Sequence, residues 1–191
     1  YANGSYFGFN SGYGTAIIDG PGSEWNIVSA FIVLGKNSWG NRLIVTNGGY
    51  CSVKTDIAVG QEGGRFNQLI VAGAGSRVQC TAQLHIGEGS TYTHSNSVFV
   101  VDGGYLYAAS VGWCSQGPTV NGRTSYLGNK IVVDGPGSFI EIPTQAYYNG
   151  SNSWLHMQNG AKGLIHNSPG SYQGGLRVDG LGTVLTAKLC Y

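Results

Sequence analysis

The chain has 191 residues, a net charge of +1 and 10% charged residues where about 25% is ordinary, so electrostatics gives no hold on nucleic acid or an anionic membrane. Its 33 glycines are more than twice the roughly 7% of an average chain, and a 41% hydrophobic share excludes a disordered polar tract. No apolar run approaches the roughly 18 residues of a membrane span, and many short apolar runs between glycines predict an all-β chain rich in turns.

Taken in chain order, the segments repeat one phrase. The opening segment, YANGSYFGFNSGYG (1–14), reads as the second half of a unit. GTAIIDGPGS (14–23) then gives a β-type run closed by a glycine turn, and FIVLGKNS (31–38) a second run ending in glycine. The pair recurs as NRLIVTNGGY (41–50) with DIAVGQEG (56–63), NQLIVAGAGS (67–76) with QLHIGEGS (83–90), and NSVFVVDGGY (96–105) with AASVGWCS (108–115). NKIVVDGPGS (129–138), a worn copy SWLHMQNGAKG (153–163) and GGLRVDGLGT (174–183) follow. The first turn glycines, Gly20, Gly48, Gly73, Gly103, Gly135, Gly160 and Gly180, recur at irregular but similar intervals, each close to the length of one coil. In the second phrase Gly35, Gly60, Gly87 and Gly112 are 25, 27 and 25 apart.

A period of roughly 20 to 50 residues marks a solenoid or a propeller. A four-stranded blade needs about 40 residues, longer than this unit. The LxxLxL signature of leucine-rich repeats is absent, and no segment carries the helical periodicity of ankyrin or TPR repeats. The period fits a parallel β-helix of about seven irregular coils, a single domain over 1–191 with a longer insertion coil around 104–128. Leu43 and Val45, Leu69 and Val71, Val98 and Val100, and Ile131 and Val133 stand two apart, so each pair shares one strand face and the coils line them up inside. Asn41, Asn67, Asn96 and Asn129 open four strands, either as a hydrogen-bonded amide ladder or because asparagine tolerates corner backbone angles. Asp19, Asp102, Asp134 and Asp179 precede turn glycines, which is turn chemistry; the GGxGxDxUx calcium pattern is missing.

The alternating phrases N-x-L-I-V-x-x-G-x-G-S and I-x-V-G-x-x-x-x-x-x-N-x-L, over roughly residues 14 to 183, resemble the repeats of autotransporter passenger domains. They are closer still to the T5SS/PEP-CTERM-associated repeats of bacterial surface proteins. The resemblance implies a right-handed β-helix displayed outside the cell and transfers no catalytic residues. It weakens at 104–128 and 143–173.

Candidate chemistry is sparse. Glu62 and Glu88 follow equivalent glycine phrases and are expected to be neighbours, whereas Glu24 and Glu141 stand in separate coils. A lone carboxylate pair in so uncharged an array reads as a solvated edge, and the chain reads as a non-enzyme without cofactor or metal; the less favoured alternative is a polysaccharide-active β-helix enzyme using Glu62 and Glu88. His85, His94, His156 and His166 are scattered, and His85, between Leu84 and Ile86, is expected to point out of its strand. Ice binding would need rows of Thr-x-Thr, and only TYT at 91–93 has that form. Asn3 and Asn149 head glycosylation sequons. Cys51, Cys80, Cys114 and Cys190 form no zinc motif; their even number suits an oxidising exterior, with three pairings open.

The ends carry the sharpest expectation. RVDGLGTVLTAKLCY (177–191) reads as the first half of a coil, and neither end shows a helix, lysine-rich edge or proline cluster as a cap. A second copy placed after the first sets its Gly20 beyond Gly180 at an interval within the range of the internal ones, which keeps the phase. Either the chain is a piece of a longer array, as a start at Tyr1 without methionine allows, or its ends complete each other and copies stack head to tail into a filament. The expected assembly residues are Tyr1, Tyr6, Phe7 and Phe9 at one end and Val184, Leu185, Leu189, Cys190 and Tyr191 at the other. The alternative is an adhesin stalk binding a surface or glycan through Tyr105, Tyr107, Trp113 and Tyr126.

Overall fold

The computed structural model describes residues 4–89, 93–113, 119–120, 123–124, 128–148, 153–166, 170–171 and 175–188. Among them there is no helix; the chain is a β-solenoid of parallel sheets. The first face is a seven-stranded sheet: β2 (Thr15–Asp19), β5 (Arg42–Thr46), β8 (Gln68–Ala72), β10 (Ser97–Val101), β14 (Lys130–Asp134), β17 (Trp154–Gln158) and β20 (Gly175–Val178). The second face stacks β3 (Glu24–Ile27), β6 (Tyr50–Val53), the start of β9 (Arg77–Glu88) and of β11 (Tyr105–Trp113), β15 (Phe139–Ile142), β18 (Lys162–Ile165) and β21 (Val184–Ala187). The third stacks β1 (Gly4–Phe9), β4 (Phe31–Lys36), β7 (Ile57–Gln61), the ends of β9 and β11, β16 (Gln145–Tyr148) and β19 (Gly170–Ser171). A small antiparallel pair, β12 (Thr119–Val120) and β13 (Arg123–Thr124), lies outside the faces.

Alternation inside each strand builds the core. On the first face Ala16, Leu43, Leu69, Val98, Ile131, Leu155 and Leu176 form one inward column, with Ile18, Val45, Val71, Val100, Val133, Met157 and Val178 beside it. The four expected pairs from Leu43/Val45 to Ile131/Val133 are therefore in register and fully buried. Each such side chain stabilises by roughly 1.5–3 kcal/mol before entropy is subtracted. Cys51 stands in a second-face column between Trp25 and Val78, and Cys80 between Val53 and Ala108. Both are buried free thiols filling the place of small aliphatic residues, so neither takes part in a disulfide. Cys114 and Cys190 lie outside the described residues.

The turn after the first face is stitched between coils. The Oγ of Ser76 donates to the carbonyl of Ala72 at 2.6 Å and accepts the N–H of Gly48 in the preceding coil at 3.0 Å. Ser138 does the same with Asp134 and Gly103, and Thr183 with Asp179 and Gly160. Where serine is replaced by Gly49 or Gly104, a Cβ would meet the carbonyl oxygen of Ile18 at 2.5 Å or of Val71 at 2.3 Å.

The turn after the third face holds the asparagine ladder. The Nδ2 of Asn41 donates to Oδ1 of Asn67 at 2.9 Å, Asn67 to Asn96 at 3.0 Å and Asn96 to Asn129 at 3.2 Å. Each Oδ1 also accepts the backbone N–H of the preceding asparagine, at 2.9–3.0 Å, and that of Asn41 accepts the N–H of Gly14. All four asparagines are fully buried. Of the two readings open in the sequence, the ladder is the one realised. It also explains the second glycine column: a Cβ at Gly8, Gly35 or Gly60 would stand 2.2–2.3 Å from the amide of Asn41, Asn67 or Asn96. The register pairs Gly8, Gly35, Gly60 and Gly87 but sets Gly112 opposite His85. Gly112 is thus two positions out of the column, because Trp113 takes the inward place of Ile86.

Candidate functional site

Trp113 corrects one expectation. It continues the inward column Phe7, Leu34, Val59, Ile86 and is 0% exposed, so it is core and not contact surface. The regular solenoid runs through 105–113, and the additional residues of the long coil fall after Trp113.

Tyr105 and Tyr107 do face outward on the second face, half-buried. Tyr105 stacks on Phe139 with centroids 5.8 Å apart, and the Arg77 guanidinium lies 4.9 Å from the Tyr105 ring and 5.9 Å from that of Tyr50. The Tyr105 hydroxyl donates to Glu141 at 2.5 Å. Burial, then this bond and the charge of Glu141, push the phenol up to about 12, so it stays protonated as a donor. Tyr126, Asn3 and Asn149 lie outside the described residues.

Glu62 and Glu88 are neighbours as expected, the Glu62 N–H donating to the Glu88 carbonyl at 2.8 Å, but their carboxylates take separate partners. Glu62 stands at a corner with φ +46° and pairs with Lys36 at 3.1 Å, while Glu88 accepts from Gln61 at 2.9 Å. Glu24 accepts from Asn26 and Glu141 from Tyr105. Asp19 and Asp134 accept from the amides of Asn47 and Asn159 in the next coil. His85 points outward between Ala58 and Gly112 as expected, and His94 packs edge-on to Phe66. Its imidazole is held below the usual range by burial and then by Arg65. Among the described residues, no group of three or more His, Cys, Asp or Glu is placed to hold a metal ion, and no helix is long and apolar enough to cross a membrane.

At the ends the packing is unfinished among the described residues. Leu176 and Val178 continue the inward columns but are 46% and 42% exposed, against 0% for Leu155 and Met157 directly beneath them. Val184 is exposed and Leu185 packs partly on the core. At the other end Phe7 packs on Trp25 at 5.4 Å, whereas Tyr6 and Phe9 are exposed. Tyr1, Leu189, Cys190 and Tyr191 lie outside the described residues. One surface went unread in the sequence: Ile17, Ile44, Ile70, Phe99 and Val132 form an outward apolar row on the first face, with Ile17 well exposed. Its signal was the unbroken apolar triplet in LIV, where a strand with one wet face would place a polar residue in the middle.

The parallel faces, shared inward columns and buried amide ladder define a β-solenoid repeat protein. Comparison with protein-family profiles, curated proteins and solved structures finds no match to the chain.

Proposed function

We propose that the chain is a structural, non-catalytic protomer of a right-handed β-solenoid of about seven coils, displayed outside the cell, whose copies stack head to tail into a filament. The right hand follows from the rule that parallel crossovers are right-handed in about 98% of cases. The count of coils rests on the seven strands of the first face. The resemblance to autotransporter and T5SS/PEP-CTERM-associated repeats supports the extracellular setting.

One observation carries the assembly: Leu176 and Val178 stand in core columns, yet water reaches nearly half of each. A further rung would bury them for roughly 1–2 kcal/mol each. The end geometries complement one another. At the C-terminal end β20 and β21 supply first- and second-face strands, and at the N-terminal end β1 supplies a third-face strand. A second copy adds the next third-face strand and pairs exposed strand edges. Low charge keeps repulsion between copies small.

Light scattering with size-exclusion chromatography tests this. Large polydisperse species that dissociate in the Leu176→Asp/Val178→Asp variant support stacking; a 20 kDa monomer at every concentration contradicts it. A second reading, a stalk that binds through its side, is favoured by the Tyr50–Arg77–Tyr105–Phe139 column. It expects the monomer and a binding loss in Tyr105→Ala.

A further inference from the structure

On the outer side of the first face a groove of about 500 Å³ crosses three consecutive strands and is lined by Gly128, Lys130, Val132, Trp154, His156 and Arg177. The register makes two rows of it. Lys130, Trp154 and Gly175 stand side by side, and Val132, His156 and Arg177 form the next row. Gly175 leaves room for the indole: a Cβ there would sit 2.2 Å from the Trp154 ring. The ring therefore lies over the neighbouring strand and is still 47% exposed, a flat apolar face open to solvent.

The cations are unusual for this molecule. The chain has 10 lysines and arginines in 191 residues, and two of them, with a histidine, line this one groove. Lys130 is exposed, with its ammonium 5.4 Å from the Phe99 ring centroid, and forms no ion pair among the described residues. Arg177 uses Nε on Asp179 at 2.6 Å, which leaves its Nη groups as donors. His156 Nε2 lies 3.3 Å from the other Asp179 oxygen. Partial burial alone would raise the Asp179 carboxyl, but the bonds and charges of His156 and Arg177 outweigh it and hold it below the usual range.

We propose that this groove binds an acidic oligosaccharide, with one sugar ring stacked on Trp154 and uronic carboxylates held by Lys130 and Arg177. An exposed indole beside an apolar floor, Val132, suits the C–H face of a pyranose. Lys130 and Arg177 stand on strands two steps apart, about 9.6 Å across the sheet, and in rows two residues apart along the strands, with Trp154 on the strand between. That arrangement fits carboxylates repeated along a chain that crosses the three strands obliquely to the solenoid axis. Asp179 at the rim keeps the net positive charge small, which suits single carboxylates better than phosphate dianions. The site lies on a side wall, so it holds whether or not copies stack.

The test is calorimetric titration with tetragalacturonate and a hyaluronan tetrasaccharide, against neutral maltotetraose, read in parallel by tryptophan emission. At least one acidic probe saturates the site and maltotetraose does not. Lys130→Gln and Arg177→Gln each weaken binding about tenfold, and Asp179→Asn tightens it by freeing Arg177 and removing a repelling charge. Trp154→Ala abolishes binding while its far-ultraviolet circular dichroism stays that of the parent fold, and Trp154→Phe keeps binding but loses the emission change. Equal affinity for maltotetraose overturns the proposal. So does the absence of saturation by either acidic probe at millimolar concentration, or unchanged affinity in the Lys130→Gln/Arg177→Gln variant.

Discussion

Asn96→Ala removes the centre of the amide ladder, and its effect can be worked out bond by bond. Oδ1 of Asn96 accepts both the backbone N–H and the Nδ2 of Asn67 at 3.0 Å. Its Nδ2 donates to the carbonyl of Gly64 at 3.0 Å and to Oδ1 of Asn129 at 3.2 Å. Alanine leaves the Asn67 backbone N–H buried without an acceptor. It also leaves one Asn67 amide proton without a partner, the other keeping Ser38 at 3.3 Å. Asn129 Oδ1 retains the Asn96 backbone N–H at 2.9 Å. Two orphaned buried donors at about 1–3 kcal/mol each give a loss of about 4 kcal/mol, reduced to about 2 if a water enters the space. In a chain of this size that lowers the melting midpoint by about 4–16 °C. Urea unfolding followed by far-ultraviolet circular dichroism reads the loss, and amide hydrogen exchange at Asn67 reads its location. Asn26→Ala, which removes an exposed strand amide bonded to Glu24 at 3.1 Å, is the control and changes stability by less than about 0.5 kcal/mol. An Asn67→Ala/Asn96→Ala pair falls short of additivity by about 1 kcal/mol or more. A loss in Asn96→Ala no larger than that of Asn26→Ala, or strict additivity of the pair, would refute the ladder as a source of stability.

Gly60→Ala destabilises by about 2–4 kcal/mol in the same urea assay, because the residue sits at φ +81° and its new Cβ meets the Asn96 amide at 2.3 Å; a neutral result contradicts the close approach. Burial pushes the thiols of Cys51 and Cys80 up to about 12 from 9.0. The stability they contribute is therefore complete below pH 9 and falls as pH rises toward 12, by about 2 kcal/mol per thiol at pH 10.5. A Cys51→Ala/Cys80→Ala variant shows a flatter alkaline limb, and in the native protein peptide mapping finds neither thiol labelled at pH 7 until urea is added. Trp113→Ala costs about 3–5 kcal/mol as a core truncation, whereas Tyr105→Ala, on the outer side, costs well under half of that; the reverse order would return Trp113 to the surface.

Much of the fold is legible because a solenoid repeats its instructions. Leu43 and Val45 recur as Leu69 and Val71, then Val98 and Val100, and period-2 spacing alone assigns them to one face. Asn41 through Asn129 are visible as a column, but only the structure distinguishes an amide ladder from tolerance of a turn. Gly8 belongs to the second glycine column but does not stand out in the sequence, because its flanks, Phe7 and Phe9, differ from those of Gly35 and Gly60. A matching VG pair puts Gly112 in that column by sequence, yet the register sets it two positions early, next to an inward tryptophan. The groove is not legible at all. Lys130, Trp154 and Arg177 come from three different coils, and only the observed register sets Lys130 beside Trp154 and Arg177 in the next row. The paired strands fix that register, because the interval between turn glycines changes from coil to coil.

Fibre diffraction from the purified, aligned chain tests the central claim, that stacked parallel rungs continue from one copy into the next. The account predicts a meridional reflection at about 4.8 Å and an axial repeat of about 34 Å, seven rungs at that spacing. A protein that yields no fibres and remains a monomer, or fibres whose repeat is far from that value, would contradict it.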